Sequence, residues 1–592
     1  MTKYVFDIET NGLLHQLDRL HCLVIKNIET NKVYSFTPDK VEDGLKLLSE
    51  AEEIIGHNII KFDVPAIKKV YPGWTTKAKL IDTLVCSRLI WSDIKRTDFQ
   101  NAQRYGFSTK LIGSHALKAW GMRLNLHKGE FGESTDWQQW SPQMQRYCEQ
   151  DVEVNSLFYD VIKKKKYSQE SLDLEHQFAE VIFMQEQHGF HFNIEAAEKL
   201  LIVLVKRRLE LEEELQMSFP EWQKDLGEFI PARNNKNKGY IKGIAINKYE
   251  TVTFNPNSRH HIADRLKYKY QWKPKAFTPD GKPQIDEKIL SNLDYPEAKI
   301  LSEYLMIQKR VSQLAEGNSA WIKLQKKGKI HGSVNTNGAV TGRCTHMYPN
   351  IAQCVSVGSP YGKECRELFT VPKGFKLVGV DFSGIELRVL SHFMARYDNG
   401  KYAKEVVNGD IHTVNQKAAG LTKRSQAKTF IYGFIYGAGD KKIGEIIKGT
   451  AEQGKALKDK FLKKIPAIGE LKRDVQTKVR TTGHIKGIDG RILEVRSQHS
   501  CLNLLIQSAA ALLVKKATVL LHEKLFAKYN YEKDFAMVAH VHDEFQLQVR
   551  EDLADEIGKL AVNVIKETQS AFNIRCPLDA EYKIGNNWAE TH

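Results

Sequence analysis

The 592-residue chain has only eight cysteines, none in a CxxC pair, and no histidine-rich tract. That excludes a zinc ribbon and a disulfide framework and leaves the reduced thiols of a cytosolic protein. No stretch approaches the roughly 18 uninterrupted apolar residues of a membrane span. The N-terminus passes from MTK directly into the apolar strand YVF and then into carboxylates, without a signal-peptide core. A cytoplasmic protein with no membrane partner is expected. Internal repeats are also absent. What is there is length and positive charge: 42% hydrophobic residues are enough for about three to five folded units at roughly 150 residues each. Residues 1–160 carry 20 Lys and Arg against 21 Asp and Glu, so the remainder carries +16 of a net charge of +15. A basic C-terminal portion suits a polyanionic partner.

The first 160 residues read as mixed α/β, with strands at Tyr4–Ile8 and Cys22–Asn27 and helical patterns from Val41 onward. Four lysines, 163 to 166, suggest a boundary. Beyond it, charge-rich helical patterns over Ile194–Gln216 and Ala298–Lys323 suit an elongated, solvated arm. Between them, the basic, Pro/Gly-punctuated stretch Ile230–Gly243 reads as an exposed loop. From about Lys329, short apolar strands alternate with helices.

In YVFDIETNGLL, Asp7 and Glu9 stand two apart at the end of an apolar strand, so both project from one face and can share a metal. A D-x-E alone is ordinary. Its company is not: Asp63 follows an apolar run in IIGHNIIKFDVPAI, and RYCEQDVEV places Tyr147 and Asp151 one helical turn apart. Four carboxylates and a tyrosine are what two-metal hydrolysis of a phosphodiester needs, and hard oxygen ligands suit Mg²⁺ or Mn²⁺ rather than zinc.

A second set lies in the C-terminal half. KLVGVDFSGIELRVL is an apolar strand ending at Asp381, a turn, and a helix whose first turn holds Glu386. MVAHVHDEFQLQV reads as a β-hairpin with His542, Asp543 and Glu544 at its tip, where adjacent acids are costly unless solvated or metal-bound. Between them, RSQAKTFIYGFIYGAG sets Arg424, Lys428 and Tyr432 along one helix face, which suggests a triphosphate cradle. His412, in GDIHT, is a further candidate phosphate donor.

DIET, GHNxxKFDxP and YxxxD resemble the three motifs of DEDD proofreading exonucleases of the tyrosine variant. The C-terminal segments resemble motifs A, B and C of family A (Pol I-type) DNA polymerases. GKIHGSVNTNGAVTGRCTHMYPNIAQ, SPYGKECRELF and LNLLIQSAAALL extend the likeness to the replicative polymerases of short-tailed lytic phages across nearly the whole chain. The resemblance implies an α/β multidomain protein. An RNase H-like exonuclease (1–165) would precede a right-hand polymerase: thumb 166–329 with a short basic insertion near 223–249, palm 330–400, fingers 401–495 and palm again 496–592. It implies metal binding by Asp7, Glu9, Asp63 and Asp151, with Tyr147 positioning water. It likewise implies catalytic metals on Asp381, Asp543 and the Phe382 carbonyl, with Glu544 in support. Arg424, Lys428, His412 and Tyr432 would bind the incoming dNTP. Arg343, Asn503, Gln507 and His542 would read the minor-groove side of the primer terminus. Glu386, set against the sugar C2′, implies DNA rather than RNA synthesis, and Tyr432 implies acceptance of dideoxynucleotides.

The expected activity is primer extension with dNTPs, using two Mg²⁺ per site, and 3′-to-5′ proofreading. A single-subunit RNA polymerase shares the A, B and C logic, but Glu386 and the attached nuclease argue against it. A non-catalytic DNA-binding scaffold would not need so many acids at ligand spacing. Primer-template DNA and dNTPs are the implied substrates. Without helicase or primase motifs, a replicative helicase-primase is an expected partner. The best-known phage relative recruits thioredoxin through a long thumb insertion. Here the corresponding stretch, around Gln223–Tyr249, is much shorter, which makes thioredoxin a doubtful processivity factor. Its Arg233, Lys236, Lys238 and Lys242 suit template phosphates.

Overall fold

The computed structural model describes residues 2–126 and 136–592. The chain divides into two compact units: Met1–Phe190 with His331–Val357 and Thr370–His592, and His191–Ile330 with Gly358–Phe369.

The first unit begins with a five-stranded mixed sheet. Its strands lie in the spatial order Val33–Phe36, Leu20–Asn27, Lys3–Thr10, Glu53–Gly56, Lys79–Asp82. The first three are antiparallel, and the last two run parallel to Lys3–Thr10. Val5, Phe6, Leu23, Ile25, Ile54 and Ile55 are fully buried, so both faces of the central strands are covered. The helix Pro142–Lys164 packs on the two central strands. Its start is set by the Ser141 side chain, which accepts from the Met144 amide, and by proline in the first turn.

The next helix, Gln169–His188, packs on the helix Cys501–Phe526, on the strand Phe535–Val541 and on the N-terminal helix Thr83–Ile90. It therefore belongs to the first unit, and the second unit begins at His191. The run of lysines marks a helix end, where cations offset the helix dipole.

A four-stranded antiparallel sheet, in the order Phe535–Val541, Glu544–Arg550, Phe375–Phe382, Ala580–Gly585, forms the centre of the C-terminal half. The helix Ala554–Ala571 covers one part of it. Among the described residues, the helix of Gln498–Phe526 is long and apolar enough to cross a membrane, but 83% of its apolar window is buried in protein, as befits a core helix. Five helices follow one another from Ile411 to Thr482, among them Ile411–Ala419 and Arg424–Ile435.

In the second unit, the helices Ile194–Ser218 and Pro296–Val311 pack together. The helix expected over Ala298–Lys323 is shorter. It widens into a π-helical turn at Ser312–Glu316, stops where Gly317 turns extended, and resumes as one turn at Trp321–Leu324. The basic stretch is a hairpin, Trp222–Phe229 paired with Ile246–Val252, joined by an exposed loop with one short 3₁₀ turn.

Candidate active sites

In the N-terminal sheet, Asp7 and Glu9 project from the strand Lys3–Thr10, opposite Val24 and Cys22. Oxygen atoms of both and the Cys148 sulfur all lie within 4.8 Å of one another. The Cys148 thiol donates to the Asp7 backbone oxygen at 3.3 Å and to its Oδ2 at 3.6 Å. Asp63 opens the helix Asp63–Val70 and is buried. Its carboxyl is raised well above the usual range, first by burial, then by the fields of Asp82 and Asp151, while the Ile8 backbone amide pulls the other way. Tyr147 and Asp151 stand one turn apart on Pro142–Lys164. The Tyr147 ring meets the Trp137 ring edge-on, with centroids 6.4 Å apart. The carboxylates predicted from three distant segments thus converge beside the central strand Lys3–Thr10.

Two residues of this site escaped the sequence reading. Asp82 accepts from the backbone amides of Asn58 (2.9 Å), Ile60 (3.1 Å) and Leu84 (2.9 Å), so it both caps a helix and pins the loop that leads to Asp63. The Asp82 amide in turn donates to His176 Nε2 at 2.9 Å. An aspartate ahead of a helical pattern is a legible cap; its second grip on a loop 24 residues upstream is not. Cys148 is the other: its neighbours in YCEQD drew attention, but its own position on the helix turns it to Asp7.

In the C-terminal sheet, Asp381 lies directly opposite Glu544, and the Phe382 amide donates to the Asp543 carbonyl at 3.1 Å. The strand leaves Asp381 through a turn at Gly384, φ +58°, where a side chain would be strained, and enters the helix Ile385–Asp398 that carries Glu386. His542 takes φ +53° at the hairpin tip, a conformation rare outside glycine and frequent at functional sites.

Solvent reaches Asp381 and Asp543, yet the surrounding protein displaces enough water to matter. Burial first, then the charges of Asp543 and Glu544, pushes Asp381 up to about 7, and burial also raises Asp543. Burial acts on Glu544 too, but hydrogen bonds from His592 and Trp588 outweigh it and hold that carboxyl below its usual value. Glu544 Oε1 accepts from Trp588 Nε1 at 2.6 Å and from Gln546 at 2.8 Å; Oε2 meets His592 Nδ1 at 2.7 Å. Trp588 and His592 are the functional neighbours that the sequence reading missed. Two crowded carboxylates that form no ion pair among the described residues, offering only oxygen, fit a hard divalent ion.

Glu386 is buried and doubly held: Arg343 donates to Oε1 at 2.8 Å and the Tyr436 hydroxyl to Oε2 at 2.7 Å. Tyr436, one turn beyond Tyr432, was not anticipated. Tyr432 is half-buried, and its hydroxyl is raised first by burial and then by the nearby Glu386 and Asp543. Arg424 and Lys428 are exposed on Arg424–Ile435, but Arg424 is not free: it forms a bidentate pair with Asp410, at 2.7 and 3.0 Å. His412 lies two residues beyond Asp410, to which its amide donates at 3.1 Å, and its imidazole is lowered first by burial and then by Arg424. Asn503 and Gln507 sit one turn apart on Cys501–Phe526, both partly exposed.

The sequence profile of DNA polymerase family A matches residues 232–590. The chain belongs to this family. It is an enzyme of DNA-directed DNA synthesis, and family A polymerases are metal-dependent. It is similar to the DNA-directed DNA polymerases of Enterobacteria phage T3 and Escherichia phage T7, at 38% identity over 99% of this chain and 100% of each relative. DNA polymerase I of Aquifex aeolicus is 24% identical over 99% of this chain and 95% of its own length. The solved POL domain of Pol1 from M. smegmatis, in complex with primer-template and dNTP, superposes with a TM-score of 0.74 at 17% identity. It covers 99% of this chain and 96% of that one, so the fold is the right-hand polymerase fold of the family.

Proposed function

We propose that this family A polymerase replicates phage DNA in the host cytoplasm and edits its product, with synthesis at Asp381 and Asp543 and 3′-to-5′ hydrolysis at Asp7, Glu9, Asp63 and Asp151. The observation that carries the reading is the register pairing of Asp381 with Glu544, beside the Asp543 hairpin tip. It sets crowded, solvent-reached carboxylates at one strand end, within electrostatic reach of Tyr432 on Arg424–Ile435. Asp381, Asp543 and the Phe382 carbonyl would hold Mg²⁺, and Glu544 braces them. When bound, Mg²⁺ supplies activation of the primer 3′-hydroxyl and neutralisation of the departing pyrophosphate.

The chain's own residues do the rest. Lys428, His412 and Arg424 draw the triphosphate charge onto the helix Arg424–Ile435. Arg424 reaches it by exchanging the Asp410 carboxylate for a phosphate, one bidentate partner for another. Tyr432 lies against the base and sugar, and its hydroxyl replaces a missing 3′-hydroxyl, which favours dideoxynucleotides. Glu386 occupies the place a ribose 2′-hydroxyl would need. Arg343, Asn503, Gln507 and His542 sample minor-groove acceptors that all correct pairs share.

In the editing site, Tyr147 orients the attacking water, while Asp82 and Cys148 keep Asp63 and Asp7 in place. Residues 1–165 act as the nuclease, and 330–400, 401–495 and 496–592 as palm, fingers and palm. The thumb is the compact unit starting at His191, whose loop lysines 236, 238 and 242 and Arg233 meet template phosphates. A helicase-primase supplies single strands and primers, and processive synthesis proceeds without thioredoxin.

Primer extension with matched and mismatched 3′ ends in Mg²⁺ tests the whole reading. A matched primer should be extended, and a mismatched one should be shortened before it is extended. Extension of mismatched ends without prior shortening would remove the editing half.

A further inference from the structure

The four lysines 163–166 are not used by either active site. Their position at a helix end accounts for three of them: Lys163 and Lys164 lie in the last turn of Pro142–Lys164, and Lys165 caps it. Lys166 lies beyond the helix in the left-handed region, φ +46°, and makes no ion pair among the described residues. Lys163 has two weak partners on the exposed surface, Asp160 at 2.8 Å and the Tyr159 ring, whose centroid lies 5.2 Å from its ammonium.

Lys163 and Lys166 border a cavity of about 250 Å³. Its inner side is apolar, with Cys86 and Ile162 buried and Ile81 and Leu172 partly so. Two half-buried aromatic rings, Tyr159 and Tyr167, complete the walls. A polar edge is preformed: Gln169 Nε2 donates to Asp173 Oδ1 at 2.9 Å, and Lys79 to the same oxygen at 2.7 Å. Tyr167 is fixed by the Ile492 amide, which donates to its hydroxyl at 2.9 Å. The volume is just under the roughly 300–1,000 Å³ of drug-sized sites, so it suits one ring system with its charged group outside at the mouth.

We propose that this cavity, in the crook between the nuclease sheet and the helix Gln169–His188, binds a nucleoside monophosphate. The base lies between Tyr159 and Tyr167 with its polar edge on Gln169 and Asp173, and the phosphate sits on Lys163 and Lys166. A flat heteroaromatic ring gains from both aromatic and amide partners, and a single dianion matches two ammonium groups that have weak partners or none. Occupancy is also sensed. His176 forms part of the cavity wall and accepts the Asp82 amide, and Asp82 pins the loop before Asp63. An effect on primer degradation rests on the editing reading, so binding is measured apart from it.

The test is calorimetric titration of the full chain with deoxyadenosine 5′-monophosphate in EDTA, where neither carboxylate site can hold nucleotide through metal. One saturable site is expected, with deoxyadenosine and inorganic phosphate each about tenfold weaker or worse. Lys163→Gln with Lys166→Gln, both solvent-exposed positions, should weaken binding by about tenfold or more while melting and primer extension stay close to the parent. Gln169→Ala should weaken the nucleotide but not phosphate. No saturation at millimolar nucleotide, undiminished binding in the lysine variant, or phosphate binding as tightly as the nucleotide would each overturn the proposal. So would a short oligodeoxynucleotide that binds more tightly than the mononucleotide, because the lysines would then line a strand track. If binding holds while primer degradation is unmoved by the ligand, the pocket stands and only its coupling to the editing site falls.

Discussion

Arg343 and Glu386 meet at 2.8 Å beneath the hydroxyl of Tyr436, which holds the other carboxylate oxygen at 2.7 Å. The Glu386 side chain is almost fully buried, so these two donors fix its rotamer rather than merely neutralise it. A carboxylate locked from both sides is a rigid wall, and a rigid wall can reject one extra hydroxyl where a mobile one would swing aside.

Glu386→Ala is therefore expected to raise ribonucleotide relative to deoxyribonucleotide incorporation by roughly 10- to 100-fold, the range that steric discrimination of a small group supplies. Tyr436→Phe removes one of the two braces and should relax the choice less. The ratio of kcat/KM for rATP and dATP on a primed template measures both. Equal selectivity in the parent and Glu386→Ala would place the gate elsewhere.

The two carboxylate clusters predict separable activities. Asp7→Ala with Glu9→Ala should lower degradation of a labelled primer by at least about 1,000-fold with extension intact, and Asp543→Ala should do the reverse. Loss of both activities in either variant, when it melts like the parent, would contradict two independent sites.

Much of this was legible in the sequence because period and spacing carry it. Alternation put Asp7 and Glu9 on one face, and the helical repeat put Tyr147 over Asp151 and aligned Arg424, Lys428 and Tyr432. What spacing does not carry is contact between distant segments. The Asp410 clasp on Arg424, the Asp82 grip on the Asn58–Ile60 loop, and His592 against Glu544 each depend on tertiary packing. The packing of the helix after the lysine run is hidden for a related reason: the buried partners of Gln169–His188 lie hundreds of residues away.

Asp381, pushed up to about 7, and Asp63, also raised, retain protons in the folded, metal-free protein at pH values where the unfolded chain has lost them. Their contribution to stability is full below about pH 4 and is lost as the pH rises through about 7 for Asp381 and about 8 for Asp63. A divalent ion binds the deprotonated pair and reverses that loss. The gain in melting temperature from Mg²⁺ over EDTA should thus be larger at about pH 8 than at about pH 6, and extension at limiting Mg²⁺ should fall as the pH drops through about 7. A gain that is constant or larger at the lower pH would show that these carboxyls do not take up the ion.

Glu175 and His176, neighbours on Gln169–His188, face different parts of the first unit. His176 serves the nuclease sheet through Asp82. Glu175 accepts from Arg491 at 2.7 Å and from Lys515 at 2.7 and 2.9 Å, and Arg491 also donates to Asp489. All four of these charged side chains are at most 2% exposed, two of each sign. A buried set so balanced adds little against an apolar core, but breaking it leaves charge with no partner. Glu175→Ala strands Lys515 on the long core helix and should cost about 3–5 kcal/mol, read as a lower urea midpoint, with extension and degradation lost together as the shared helix loosens. The exposed pair between Lys524 of the same core helix and Glu567 of Ala554–Ala571 is the control: Lys524→Ala should change stability by less than about 1 kcal/mol. If the two variants melt alike, the interior quartet does not hold the nuclease sheet and the polymerase core on their common helix.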